Sequence, residues 1–264
     1  MNLRPPRALS VLVGVLLAAS GCRSQVSQAV CTSGELELVS SGRLTAGVDL
    51  TNPPFAFTDP NNGKATGFEV DLVRAMAKAM ELKLTLLNRG GPSLVPATLA
   101  HQVDVAAASI ADDAELPSDV CRSTPYMDAD LAVVVTAAGV RTTKTLADLG
   151  GRTVGVVRNT PAARWAAGNL RGSRIARVAA ADDAFAALTA QTVDAVIVDR
   201  PVALRAQRTS GAVRAVETIR LSRHYVLIGA ADTAVMAPVN TALAKLESDG
   251  TIAALRQRWF GPGI

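Results

Sequence analysis

The stretch Ala97-Thr98-Leu99-Ala100-His101-Gln102-Val103-Asp104 is answered later in the chain by Ala187-Leu188-Thr189-Ala190-Gln191-Thr192-Val193-Asp194. Ala97 aligns with Ala187, Ala100 with Ala190, and Val103-Asp104 with Val193-Asp194. A run of small apolar residues follows each copy, at 105–110 and 195–198. Each copy therefore reads as the end of a helix, a turn and a buried strand. Each also has a glycine-bearing strand upstream, residues 44–50 around Gly47 and residues 153–157 around Gly155. Strands that alternate with helices in two related halves give an α/β fold of two lobes with largely parallel sheets.

Working outward, Phe68, Leu72, Met76 and Met80 recur every fourth residue and give a helix one apolar face. Residues 181–190 read as another helix. Leu243, Leu246, Ile252, Leu255 and Trp259 give two helical segments around Asp249-Gly250. The apolar, β-rich stretches 131–136 and 225–229 flank the second repeat, so they are the candidate strands crossing between lobes. This places lobe 1 at 37–130 and 230–264, lobe 2 at 137–222, and hinge strands at 131–136 and 223–229.

Composition narrows the function. The chain has 264 residues, of which 49% are apolar and 19% charged, enough for a sizeable core. Aromatics make up only 3%, and the net charge of +4 contains no basic run. Base-stacking platforms and a phosphate-tracking surface are both missing, so nucleic acid is not an expected partner. His101 and His224 stand alone, which leaves no metal-ligand spacing and no expected cofactor.

The N-terminal segment reads as an address. Arg4 and Arg7 precede an apolar run, 8–19, too short to span a bilayer. It ends Leu17-Ala18-Ala19-Ser20-Gly21-Cys22, which resembles the lipobox of bacterial lipoproteins. The resemblance implies a signal peptide at 1–21, a lipid on Cys22, a tether at 22–36 and an anchored protein on the extracytoplasmic face of the membrane. Exported proteins meet an oxidising compartment, so the remaining Cys31 and Cys121 are expected to pair.

Open α/β sheets bind ligands beyond the carboxyl ends of their strands. Strand ends near Asp49, Ser109, Arg158 and Asp199 would converge on a cleft between the lobes. Thr160-Pro161 suits the start of a helix, whose free N–H groups either serve only as a cap or also receive an anion.

A family resemblance then emerges from Gly42-Arg43-Leu44-Thr45-Ala46-Gly47-Val48, Pro53-Pro54-Phe55-Ala56-Phe57 and Gly67-Phe68-Glu69-Val70-Asp71-Leu72. It continues through Ser123-Thr124-Pro125-Tyr126, Leu146-Ala147-Asp148-Leu149-Gly150-Gly151-Arg152-Thr153-Val154-Gly155-Val156, and Val193-Asp194-Ala195-Val196-Ile197-Val198-Asp199. It closes with Asp249-Gly250-Thr251 and Arg258-Trp259-Phe260-Gly261. In order and spacing the chain resembles the bacterial extracellular solute-binding proteins of family 3, the binding components of polar-amino-acid ABC transporters.

The resemblance implies a type II periplasmic-binding-protein-like fold: two α/β lobes, a two-strand hinge and a central cleft that closes on a small-molecule ligand. It implies a monomer that hands an amino acid or related amine to an ABC transporter permease. An aspartate at the position of Asp199 would bind the ligand's α-ammonium, and Thr160 would lend its hydroxyl or backbone N–H.

Other positions depart from the pattern. The family's carboxylate-clamping arginine falls on Leu116, or on Ala114 with a two-residue shift. Its two covering aromatics fall on Asn52 and near Gly91, and the glycine before the threonine is Asn159. Arg158, Arg122 or Arg89 would have to substitute, or the ligand lacks a free α-carboxylate. The acidic segment Asp112, Asp113 and Glu115 either favours a cationic ligand or is a solvated turn. Two further readings stay open: a ligand-sensing or scaffold lipoprotein with a diverged pocket, and a dehydratase on the same fold. No Ser/His/Asp or Cys/His set is visible, so the expectation is a binder and not an enzyme.

Overall fold

The structure is a computed structural model that describes Cys31 and residues 36–262. The signal segment 1–21, Cys22 and most of the tether lie outside the described residues. The first lobe opens with β1 (Arg43–Val48), β2 (Thr51–Asn52), β3 (Ala56–Thr58), β4 (Ala65–Thr66), α1 (Phe68–Ala79), β5 (Lys83–Asn88), α2 (Gly91–Leu99), β6 (Val105–Ala111), β7 (Val120–Arg122) and β8 (Met127–Asp128). The second holds β9 (Leu131–Thr136), β10 (Thr153–Val157), α3 (Pro161–Asn169), β11 (Arg174–Val178), α4 (Ala181–Thr189), β12 (Ala195–Asp199), α5 (Arg200–Ser210) and β13 (Val213–Ile219). The chain returns through β14 (His224–Ala230) to α6 (Met236–Ser248) and α7 (Thr251–Phe260) on the first lobe.

Each lobe has its own sheet. The first runs β5-β1-β6-β14-β7, with β8 also on β14; the second runs β11-β10-β12-β9-β13. The pairs β1/β5, β1/β6, β10/β11 and β10/β12 are parallel, and the strands contributed by the crossovers are antiparallel. The stretches expected to cross between lobes each lie inside one sheet. β9 is held on both sides by β12 and β13, and β14 by β6 and β7. Full ladder pairing buries both strands, so the passage between sheets falls to the short connectors 129–130 and 220–223.

The internal repeat is structural. Gly47 pairs with Ala106 and Gly155 with Val196, the same register in both lobes. Both copies end their helix with a positive-φ residue, His101 at 51° and Gln191 at 58°. Glycine at position 47 gives α2 room to lie directly on the strand. A Cβ there would sit 2.7 Å from Leu94 Cδ2.

The apolar stripes form the cores. Phe68, Leu72 and Met76 are fully buried against Tyr126, Val239 and Phe260 in the first lobe. Burial of each stabilises by roughly 1.5–3 kcal/mol. The second lobe has two cores, one on each face of its sheet, around Leu131, Val133 and Ile197, and around Val134, Val196 and Leu188. Cys31 and Cys121 form a disulfide with Cα atoms 6.0 Å apart, fastening the N-terminal segment to β7. No helix among the described residues is long and apolar enough to cross a membrane.

Candidate functional site

Parallel strands deliver their carboxyl ends to one edge of each lobe, and the two edges face each other. A cavity of about 660 Å³ lies there. Asn52, Pro53 and Pro54 line it from the first lobe. Thr160, Phe185, Val198, Asp199 and Arg205 are among the residues that line it from the second. Arg205 of α5 lies 4.7 Å over the ring of Phe57, and Arg208 Nη1 donates to the carbonyl of Arg258 at 3.0 Å. Helix α5 therefore braces the second lobe against the first.

Of the six candidate ligand residues, Asp199, Thr160 and Asn52 line this cavity; Asp49, Ser109 and Arg158 do not. Thr160 caps α3: its Oγ1 accepts from Ala163 N at 3.2 Å and donates to the Val157 carbonyl at 2.6 Å. Asp49 accepts from Thr51 N at 3.0 Å and from Gly91 N at 2.9 Å, so it shapes the loop after β1. Arg158 is exposed.

Ser109 supports the mouth from behind. It holds a positive φ of 50°, accepts at Oγ from Asn52 Nδ2 at 2.8 Å and donates its N–H to Glu69 Oε1 at 2.6 Å. Glu69 is fully buried in the first turn of α1 and also accepts from the Tyr126 hydroxyl. Burial pushes its carboxyl up from 4.5 to about 7. The bonds from Tyr126 and Ser109 hold it back, and the Asp49 charge adds to the rise.

Asp199 ends β12 and starts α5, but its side chain does not cap that helix. Its Oδ1 is buried, and so is the Tyr225 hydroxyl beside it. Neither has a partner of hydrogen-bond geometry among the described residues. Burial pushes the Asp199 carboxyl up from 3.8 to about 6, against the pull of the Arg223 cation and the Tyr225 hydroxyl. A buried carboxylate with an unfilled acceptor is a place for a cationic donor.

The departures from the family pattern also have structural answers. Leu116 packs against the small core of Leu94, Ala106, Val120 and Ile228, which keeps that position apolar. Arg122 Nη2 donates to the Ala114 carbonyl at 2.6 Å, so this arginine is held by the first lobe, and Arg89 is exposed. In the acidic segment Asp113 and Glu115 are exposed, and two of the three carboxylates have partners in the first lobe's neighbourhood. Asp112 meets His224 Nδ1 at 2.8 Å, and Asp113 accepts from Arg223 Nε at 2.9 Å. Burial raises the Asp112 carboxyl, but the hydrogen bonds and charge of His224 outweigh it and the net shift is downward.

The residues missed from the sequence are Glu69, Tyr126, Arg205, Arg223 and Tyr225. Arg223 sits in the connector between β13 and β14, just before the strand that returns to the first sheet. No histidine lines the cavity. His101 lies on the surface, 3.4 Å from Asp232.

Comparison with known proteins agrees with this geometry. The chain is 28% identical over 225 residues to the L-cystine-binding protein TcyJ of Escherichia coli strain K12, covering 84% of each. It superposes on an ancestral arginine-binding protein bound to arginine with a TM-score of 0.68 and 30% identity, covering 83% of this chain and 99% of that one. It superposes on the ancestral amino acid-binding protein AncCDT-1, a precursor of cyclohexadienyl dehydratase, with a TM-score of 0.66 and 28% identity, covering 83% and 95%. The family described as bacterial extracellular solute-binding proteins, family 3, matches residues 44–262, nearly the whole described chain, and this protein belongs to it.

Proposed function

We propose that this protein is the extracytoplasmic binding component of an ABC importer. It takes a small polar solute, an amino acid or related amine, between its lobes and releases it unaltered to a permease. The observation that carries this reading is Asp199. It lines the interlobe cavity and has a buried oxygen without a partner among the described residues. A ligand ammonium supplies the missing donor. Binding by relatives supports the reading, since TcyJ is an L-cystine-binding protein and the ancestral protein holds arginine.

The anchor belongs to the same proposal. Cys22 carries the lipid, and the protein works as a monomer tethered to the outer face of the membrane. Replacing Cys22 with Ser should release the protein into the medium or periplasm. Chemistry on the ligand is not part of this reading. Two carboxylates, Asp182 and Asp199, are among the residues that line the cavity, which supports capture of a cation.

The test is a thermal-shift and calorimetry series with L-arginine, L-cystine, other amino acids and their amines. Ligand at a hundred times its Kd should stabilise by about 2.7 kcal/mol and raise the Tm visibly. Asp199→Ala should abolish binding, and unchanged affinity would remove Asp199 from the site. One observation favours a second reading, a sensor or scaffold with a diverged pocket: Leu116 is built into the core where the family clamps a carboxylate. A wild-type protein that binds no solute in the series would favour that reading.

A further inference from the structure

No basic run is visible along the chain, yet folding gathers one. Between Asp148 and Asp182 stand six arginines and no lysine, aspartate or glutamate: Arg152, Arg158, Arg164, Arg171, Arg174 and Arg177. We infer that the outer edge of the second lobe, built by α3 and β11, lies against an anionic phospholipid surface, with Arg164, Arg171 and Arg177 on the headgroups and Trp165 at their apolar boundary. This rests on the tethered reading and gives the tethered protein an orientation.

Local structure puts the three arginines on one side. Among the described residues β11 is an outer strand, paired with β10 alone. The turn that leads into it from α3 is pinned: Gly151 N donates to the Gly172 carbonyl at 2.8 Å, and Ser173 Oγ to the Leu149 carbonyl at 2.7 Å. Ala162, Ala163 and Ala166 form the buried face of α3, so the helix sits close on the sheet and Arg164 stands on its solvent side. Along β11, Ile175 shares a core with Trp165 and Leu170, while Ala176 and Val178 join the core on the other face. Alternation then places Arg177 on the α3 side with Ile175. Arg164, Arg171 and Arg177 are all exposed.

Nothing in the protein neutralises them. Arg158, Arg164, Arg171, Arg174 and Arg177 make no ion pair among the described residues, whereas Arg74, Arg223, Arg256 and Arg258 each meet a carboxylate. Asp148, at the border of the segment, is held by the N–H groups of Lys144 and Thr145. A guanidinium fork matches the paired oxygens of a phosphate. Guarding an open sheet edge would account for charge on β11 itself, but not for Arg164 and Arg171, which lie outside that strand. Trp165 is half-buried, and its indole N–H has no hydrogen-bond partner among the described residues, unlike that of Trp259, which donates to Asp71 at 3.0 Å. A half-buried indole beside cations suits the level where headgroups meet acyl chains.

Charge also decides which lobe meets the surface. The second lobe, 137–222, holds 13 basic and 6 acidic residues; the first, 37–130 and 230–264, holds 10 basic and 16 acidic. An anionic surface attracts the one and repels the other, so the molecule is turned as well as held. On the tethered reading the surface is close by. Cys22 and the disulfide-fastened Cys31 are nine positions apart, a reach of about 30 Å at most.

The test is vesicle co-sedimentation of a chain that starts at Arg23. It lacks signal and lipid but contains every described residue, so this face and the Cys22 anchor fail separately. It should bind vesicles of phosphatidylcholine with about one-third phosphatidylglycerol at low salt, ignore pure phosphatidylcholine, and let go at about 0.5 M salt. Arg164→Gln, Arg171→Gln and Arg177→Gln together should weaken binding by about 100-fold, at about fivefold for each arginine. Lys78→Gln, Lys83→Gln and Lys245→Gln, the same change in net charge on the first lobe, should leave binding within about twofold. In a Trp259→Phe background, brominated phosphatidylglycerol should quench Trp165. No binding to anionic vesicles overturns the inference, as do equal losses in the two triple variants or an unquenched Trp165. Sedimentation velocity without vesicles completes the test. A dimer that the arginine variant abolishes, with no vesicle binding, would give this face to the acidic first lobe of a second copy and overturn the lipid assignment. The vesicle comparison and the quenching need no arginine variant, so a poorly folding one does not blunt them.

Discussion

Asp104 and Asp194 occupy equivalent places in the repeat and clasp the glycine-bearing strand of their own lobe in the same way. Asp104 Oδ2 accepts from Thr45 N at 2.6 Å, and Asp194 Oδ2 accepts from Thr153 N at 2.8 Å. In return the N–H of each aspartate donates to the carbonyl of the same threonine, at 2.8 Å in both lobes. The environments differ. Asp104 is 4% exposed and also accepts from Val39 N at 2.7 Å, whereas Asp194 is exposed. Asp104→Ala should cost about 2–3 kcal/mol, because it strands donors that water cannot reach, and Asp194→Ala about 1 kcal/mol or less. Urea unfolding of both variants checks this, and equal losses would contradict it.

The Cys31–Cys121 bond closes a loop with a sequence separation of 90. On the chain-entropy account, closing such a loop stabilises by about 4–5 kcal/mol, much of it by restricting the unfolded chain. Alkylation of the exported protein under denaturing, non-reducing conditions should label neither cysteine. Reduction should lower the urea midpoint steeply. Two labelled thiols without reductant would show that the bond does not form.

The glycine at the start of α1 is under a different constraint. Gly67 has a φ of 130°, and a Cβ there would lie 2.2 Å from the Phe55 carbonyl oxygen. Gly63 has a φ of 70° with open space around it. Gly67→Ala should therefore cost about 3 kcal/mol or more, and Gly63→Ala about 1 kcal/mol, in the same urea experiment.

The lobes, the repeat and the disulfide were legible because each rests on local pattern or on small counts. Periodicity marks α1, the strand after each repeat copy marks the sheet, and two leftover cysteines leave few choices. Asp199 was legible as one of four strand ends expected at the cleft, and only the resemblance singled it out, since nothing local separates a buried strand-end aspartate from an exposed one. Arg205 was not, because its place depends on how α5 packs over Phe57, far away in sequence. Glu69 was hidden for a similar reason. Its place in the first turn of α1 suggests a solvated dipole partner, and only tertiary packing against Tyr126 and Ser109 buries it.

That burial gives the fold a pH dependence with a definite sign. The Glu69 carboxyl is raised from 4.5 to about 7 in the folded protein. Its contribution is fully present below about pH 4.5 and is lost as the pH rises through 7, because the folded state keeps a proton that the unfolded chain has released. The loss amounts to about 3 kcal/mol at alkaline pH. Glu69→Gln keeps a neutral acceptor for Tyr126 and Ser109, so it should be more stable than wild type at pH 8 and similar at pH 4.5. Melting curves across that range decide it. Parallel pH profiles for the two proteins would mean that Glu69 does not titrate on unfolding.

Asp199 extends the same reasoning to the ligand. Only the charged carboxylate attracts an ammonium, and burial raises this one to about 6 against the pull of Arg223 and Tyr225. Affinity should be level above pH 7 and fall below 6, approaching tenfold per unit as the proton competes with the ligand for the same oxygens. The unliganded fold moves the opposite way: the raised pKa makes Asp199's contribution to stability fade as the pH climbs from 3.8 towards 6. Binding at pH 6 should release about half a proton, visible by calorimetry in buffers of different ionisation enthalpy. Glu69 titrates nearby but does not line the cavity, so the Glu69→Gln background isolates the Asp199 contribution. An ordinary surface carboxylate would leave affinity flat down to pH 5, and that flat profile would take Asp199 out of the ammonium site.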